Sequence, residues 1–274
     1  MRPRIPRWLP GLLGIALAVA LAVWLQSPYA VSVNTARMFA QVMLALAVLV
    51  FILVVLILVW SSSGRVALYQ ICDPARAAAI FDKKLEQARQ NKQTGVWQKC
   101  ARYLVWAYSA NGETERELIL LQSLKPAGDD AAALSLYHGD MALLSWDVGN
   151  YGAFGRELEL ARTYAAQSVP YGRSCRKVRR RLMELTARET ILNGDYATAL
   201  AYYVHQVKAL PFYNVYGKIA AVYLLAGIYH LMDEHDSRDQ FLAYVSRRGR
   251  KLHIAALARK RLQEKTTLEI SAEL

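Results

Sequence analysis

Four cations in RSCRKVRRRL, namely Arg173, Arg176, Lys177 and Arg180, recur at i, i+3, i+4 and i+7. A helix over this stretch would gather them into one basic stripe. Such a stripe can hold anionic lipid headgroups, an acidic partner tail or nucleic-acid phosphate. Nucleic acid is the least favoured, because no base-reading motif or aromatic platform accompanies it. The plain alternative is a solvated helix face. A second polar cluster, HLMDEHDSRD, sets His230 and Glu234 one helical turn apart, with Asp233, His235 and Asp236 beside them. Imidazole and carboxylate at i, i+4 can converge on one divalent ion. The cluster lacks the H-E-x-x-H spacing, however, and is read as polar turn residues. His138 and Asp140 in LYHGDM are read as helix-surface or packing positions. The sequence contains no P-loop, no G-x-G-x-x-G, no G-x-S-x-G and no kinase signature. Ser61, Ser62 and Ser63 have no visible base partner. The expectation is a non-enzymatic protein with no catalytic residue, no metal site and no cofactor.

What must position the basic stripe depends on where the chain lives. From Trp8 to Ala36 no residue is charged, and a second uncharged run extends from Met38 to Trp60. Its core VMLALAVLVFILVVLILVW is long enough to span a bilayer at about 1.5 Å per residue. The expected organisation is a basic N-terminus at 1–7, a transmembrane helix at 8–26, an external loop at 27–37 and a second span at 38–60. A cleaved signal peptide is the alternative for the first run. Arg2, Arg4 and Arg7 precede the first span, only Arg37 lies between the spans, and Arg65, Arg76, Lys83 and Lys84 follow the second. Cations are retained on the cytoplasmic side, so both termini are expected there, in a cell (inner) membrane. The three cysteines, Cys72, Cys100 and Cys175, show no C-x-x-C and no metal spacing, which fits a reducing compartment. Of 34 Lys/Arg, all but Arg2, Arg4, Arg7 and Arg37 lie beyond residue 60, as do all 22 Asp/Glu, so that part carries +8. Attraction to an anionic inner leaflet accounts for such a charge without nucleic acid.

Residues 61–73 read as a polar juxtamembrane linker, with Asp73 as N-cap and Pro74 as first residue of the helix that follows. From there to 264 apolar residues recur at three- and four-residue steps and β-type alternation is absent. In NGDYATALAYYVHQVKALP, Tyr196, Ala199, Leu200, Tyr203 and Val207 share a helical face. Gly194 can take the left-handed conformation that ends the preceding helix, and Asp195 can cap the next. The preceding helix would turn Val178, Leu182 and Leu185 inward, with Glu189 near them.

This hairpin resembles the tetratricopeptide repeat. Ala187 stands where that family has the small residue of its first helix, Gly194, Asp195 and Tyr196 at the turn, Ala199 and Tyr203 at the small and aromatic positions of its second helix, and Pro211 at its end. Similar turns occur at Gly149-Asn150-Tyr151, at Gly112-Glu113 and at Asp233. After Gly149-Asn150-Tyr151, Phe154 replaces the small residue, so looser helix contact is expected there. The turns are 37, 45 and 39 residues apart, longer than the ~34 of standard repeats. The expected fold is therefore all-α: a transmembrane hairpin, then a degenerate solenoid of about four helix pairs over 74–264. A polar capping helix with Leu252, Ala255, Ala256 and Leu262 inward would end it, before a loosely held tail at 265–274.

The resemblance implies protein binding, since solenoids of this family are docking surfaces. Tyr202, Tyr213 and Tyr216, with His205, lie off the main inward face or near the next helix start and are the candidates for a peptide groove. The functional expectation is a membrane-anchored adaptor or scaffold for an unidentified protein partner. The alternative is a structural subunit of a membrane transport or envelope-assembly complex, its spans packed on partner spans through the small residues Gly11, Gly14, Ala16, Ala18, Ala20 and Ala22.

Overall fold

The computed structural model describes residues 63–168 and 172–273, the side chains of Arg173 and of 265–273 excepted, together with Val42, Leu46, Leu49 and Val50. The segments at 1–7, 8–26, 27–37 and 38–60 thus lie outside the described residues apart from those four positions. Val42, Leu46 and Leu49 are helical and each more than half exposed. No helix among the described residues is long and apolar enough to cross a membrane.

The chain divides into compact units at Ser62 and Ser63. The second is all-helical among its described residues. Its elements are α1 (Gly64–Tyr69), α2 (Pro74–Gln90), α3 (Thr94–Asn111), α4 (Thr114–Ser123), α5 (Ala131–Asp147), α6 (Tyr151–Gln167), α7 (Arg173–Leu192), α8 (Tyr196–Ala209), α9 (Val215–Leu231), α10 (His235–Arg248) and α11 (His253–Glu273).

One turn recurs five times. Lys92, Gly112, Gly149, Gly194 and Asp233 have φ of 54°, 77°, 75°, 78° and 62°. The residue after each donates its amide to the carbonyl five back: Gln93 to Ala88, Glu113 to Tyr108, Asn150 to Ser145, Asp195 to Thr190 and Glu234 to Tyr229, at 2.8–2.9 Å. This is the Schellman closure, which satisfies the last carbonyls of one helix while the chain reverses into the next. Asn150 and Asp195 then cap the following helices through Ala153 and Thr198. The four turns read from sequence are all present. The fifth, at Lys92, carries no glycine and leaves no such mark.

The expected looseness at Phe154 is not found. The α5–α6 pair packs most extensively of all. Phe154 is buried between α5, α6 and α7, its ring 5.4 Å from that of Trp146, in a cluster with Leu158, Ala142 and Leu185. The close approach occurs further along, where Ser135 donates to the Ala161 carbonyl at 2.8 Å. It is the α7–α8 pair, with the best match to the repeat, that packs most sparingly of the hairpins. Ala187, Ile191, Ala199 and Tyr203 hold it together near the turn.

Helix pairs do not continue as an open array. Helix α1 packs on α2 and α9, and α11 packs on α10, α9 and α3, so the last elements close on the first. One core joins Ala67 and Leu68 of α1, Leu104 and Ala107 of α3, Ile219 and Val222 of α9, and Ala255 and Ala258 of α11. Lys251 clasps Asp73 at 2.7 Å and Arg250 reaches the Ile71 carbonyl. Three expectations change accordingly. The 61–73 linker contains α1, because Val66, Ala67 and Leu68 have an apolar floor to bury against. In the closing helix Leu252, Ala255 and Leu262 face the core and Arg259, Lys260 and Arg261 face outward as expected, but Ala258 rather than Ala256 is the buried alanine. The tail from 265 continues α11 to Glu273.

Candidate functional site

Helix α7 separates two concavities. On one flank, Arg176, Lys177, Arg180, Arg181 and Glu184 face Lys99, Arg102, Tyr103 and Trp106 of α3 and Asp140 of α5 across a cavity of about 840 Å³. On the other, Cys175, Val178, Leu182, Met183 and Thr186, with Thr198 and Tyr202 of α8 and Ala165 of α6, line an apolar groove of about 560 Å³. Both are of a size that binding sites use. The split follows from the helical period: residues 175, 178, 182 and 186 fall on one side and 176, 177, 180 and 184 on the other.

The floor of the basic cavity is an ion ladder between α5 and α7. Arg181 bonds Asp140 at 2.7 Å and Glu184 at 2.9 Å. Arg188 bonds Asp147 at 3.2 Å, approaches Glu184 at 3.6 Å and stacks its guanidinium 5.4 Å from the Trp146 ring. Both Arg–Asp pairs are 41 residues apart in sequence, so two acids seven apart on α5 meet two arginines seven apart on α7. Gly139 permits the approach, since a Cβ there would stand 2.7 Å from Arg181 Cγ. Burial works against the Arg181 charge, but Asp140 and Glu184 more than offset it and its pKa is raised. Beside the ladder, Glu117 of α4 is only 7% exposed. Burial, then the charges of Asp147 and Asp140, push its carboxyl up to about 8.

The aromatic wall of the basic cavity is fixed from behind. Tyr103 stacks on Phe81 at 5.0 Å, and Trp106 meets the edges of Tyr103 and Tyr69 at 5.6 and 6.2 Å.

Of the basic stripe, Arg176, Lys177 and Arg180 enter this cavity together; the Arg173 side chain lies outside the described residues. The four groove candidates are not brought together. Tyr202 lines the apolar groove. His205 is exposed, and exposed Tyr213 meets Phe212 edge-on at 5.5 Å in the loop before α9. Tyr216 turns into the interior, 6.0 Å from the Tyr69 ring. The packing positions Ala199 and Tyr203 are buried, Tyr196 packs on them, and Tyr151 lies against Trp146 with half its surface open.

No family model, curated protein or solved structure matches the chain. Lys99 and Arg102 were missed in the sequence; their only trace is an i, i+3 pair in WQKCARYLVW. The Asp140–Arg181 and Asp147–Arg188 matches were also missed, although the common offset of 41 was present to be found. His138, read as a helix-surface or packing position, contacts Glu157 at 2.8 Å and stacks on Tyr164. The His230–Asp236 cluster occupies the turn at Asp233, where His235 contacts Asp233 at 3.2 Å. Among the described residues no three His, Cys, Asp or Glu side chains gather as a ligand set.

Proposed function

We propose that the chain is a membrane-anchored, non-catalytic helical-repeat adaptor that receives a segment of a partner protein in the apolar groove between α6, α7 and α8. The observation that carries this reading is the groove itself. The α7–α8 hairpin packs most sparingly of the five, and Val178, Leu182, Met183 and Tyr202 line an apolar groove beside it. Met183 is 53% exposed and adaptable in shape, a property that suits a surface accepting another chain's side chains. Tyr202 adds rigid area with a polar end. Anchoring is supported by the uncharged run at 38–60, by the cations that flank it, and by the exposed helical positions Val42, Leu46 and Leu49.

The test is affinity capture with the full-length chain from the native membrane, comparing wild type with Met183→Asp and Tyr202→Ala. Loss of the same partner in both variants, with helix content unchanged, supports the reading. Retention of every partner by both overturns it. Carbonate extraction of the wild-type chain tests the anchor: release into the soluble fraction contradicts it.

A further inference from the structure

The basic cavity on the opposite flank of α7 has a property the apolar groove does not explain. Among the described residues Arg116, Arg162, Arg181, Arg188, Arg238, Lys251 and Lys260 all make ion pairs. Exposed Lys83, Lys84 and Arg89 of α2 make none, and neither do Lys99, Arg102, Arg176, Lys177 and Arg180; these last five, exposed as well, are set apart by lining one cavity together. Two walls contribute them: Lys99 and Arg102 from α3, and Arg176, Lys177 and Arg180 from α7. Placing like charges around a concavity costs electrostatic energy, because its protein walls focus their field inward. The two acids present, Asp140 and Glu184, are already engaged by Arg181. Six cations against two acids leave +4 around about 840 Å³.

We infer that this cavity is a binding site for a soluble anion that carries two phosphate groups. The inference is independent of whether a protein docks in the groove. Charge density decides between phosphate and carboxylate. A phosphate monoester brings about −1.5 to −2 and three acceptor oxygens in the volume where a carboxylate brings −1 and two. Two phosphates therefore match +4 within one cavity, one for each basic wall. Guanidinium forks at Arg102, Arg176 and Arg180 suit phosphate oxygens bidentately. The first turn of α3 adds to this: Gly95 and Gln98 line the cavity, and the N-cap residue Gln93 makes no side-chain cap bond. Amides at such an end lack helix partners. Tyr103, Trp106 and Leu136 offer an apolar wall for the organic part of the ligand. A flat bilayer surface reaches cations on a convex face more readily than cations on facing walls of a cavity, which favours a soluble ligand over a lipid headgroup.

The experiment uses the full-length chain in detergent at low salt, with inorganic pyrophosphate as the calorimetric probe. One saturable site per chain is expected. The double variant Arg176→Glu/Arg180→Glu weakens it about tenfold or more, whereas Lys83→Glu/Lys84→Glu, an equal change in net charge on exposed positions of α2, leaves it unchanged. Hexaglutamate and vesicles carrying a bisphosphorylated lipid are titrated in parallel. Vesicle binding that pyrophosphate displaces keeps the two-phosphate site and assigns its source to a lipid headgroup. Equal losses in both variants, tighter binding of hexaglutamate than of pyrophosphate, or no pyrophosphate binding at all overturns the inference.

Discussion

Removing either end of the Asp147–Arg188 pair deletes the same 3.2 Å ion pair, yet the two deletions should not have equal effects. The Arg188 side chain is 9% exposed and that of Asp147 is 46% exposed. With Asp147→Ala, a buried guanidinium keeps only Glu184 at 3.6 Å, and its Nε already lacks a partner. Leaving a buried charge poorly compensated costs up to about 3–5 kcal/mol, and the remaining carboxylate reduces that to about 2–3 kcal/mol here. With Arg188→Met, the orphaned Asp147 is half in water and rehydrates, while Glu184 retains Arg181. The loss is then chiefly the cation–π contact with Trp146, about 0.5–1 kcal/mol, offset by relief of the guanidinium's desolvation. The net change should lie within about 1 kcal/mol of zero. Urea unfolding of the compact 63–274 unit, with m-values held equal, reads both numbers. Arg188→Met costing as much as Asp147→Ala would refute the argument that burial, not pairing, sets the energetics of the ladder.

Other outcomes follow from individual packing sites. Phe154→Ala, at a side chain 1% exposed between α5, α6 and α7, should destabilise by about 3–5 kcal/mol in the same urea assay; a change below about 1 kcal/mol would mean the site collapses freely. Gly249→Ala would set a Cβ 2.6 Å from that of Ala255 and 2.7 Å from the Val245 carbonyl, neither able to swing aside. A loss of about 1–3 kcal/mol in thermal or urea unfolding is expected, and a neutral result would contradict the close α10–α11 approach. Glu117, with its folded pKa raised to about 8, holds a proton in the folded state that the unfolded chain releases above the ordinary carboxylate pKa. Its contribution is full at acid pH and declines as pH rises toward 8, by on the order of 3 kcal/mol between pH 5 and 8. Glu117→Gln should flatten that slope in urea unfolding measured against pH; parallel slopes would show that the carboxyl is ionised in place.

Most of the helices and four of the five turns were legible because their signals are local. Gly112, Gly149 and Gly194 mark left-handed backbone by residue type, and Asp73, Asn150 and Asp195 mark caps by hydrogen-bonding chemistry. Lys92 adopts the same conformation with an ordinary side chain, so its hairpin left no residue signature. Closure of the first helices on the last was not legible, since Ala67, Ile219 and Ala255 look like any apolar helix positions until tertiary contact pairs them. Phe154 shows the limit of reading one repeat position alone: its space depends on Ala142 and on Leu185 of the next pair. For the candidate site the reverse held in part. The stripe of Arg176, Lys177 and Arg180 was visible as a helical period, but the facing wall of Lys99 and Arg102 lies some eighty residues upstream and only the fold brings it near. The Tyr202, His205, Tyr213 and Tyr216 set dispersed because Tyr216 finds a partner in Tyr69 of α1, an element read as linker.

Site-directed photo-crosslinking in the native membrane tests the docking account most directly. A photoreactive residue is placed at Met183 or Thr198 inside the groove, or at Ile119 on the exposed face of α4. The account predicts a discrete protein adduct of one size from Met183 and Thr198 and none from Ile119. An adduct pattern identical at all three positions, or adducts from Ile119 alone, would contradict it.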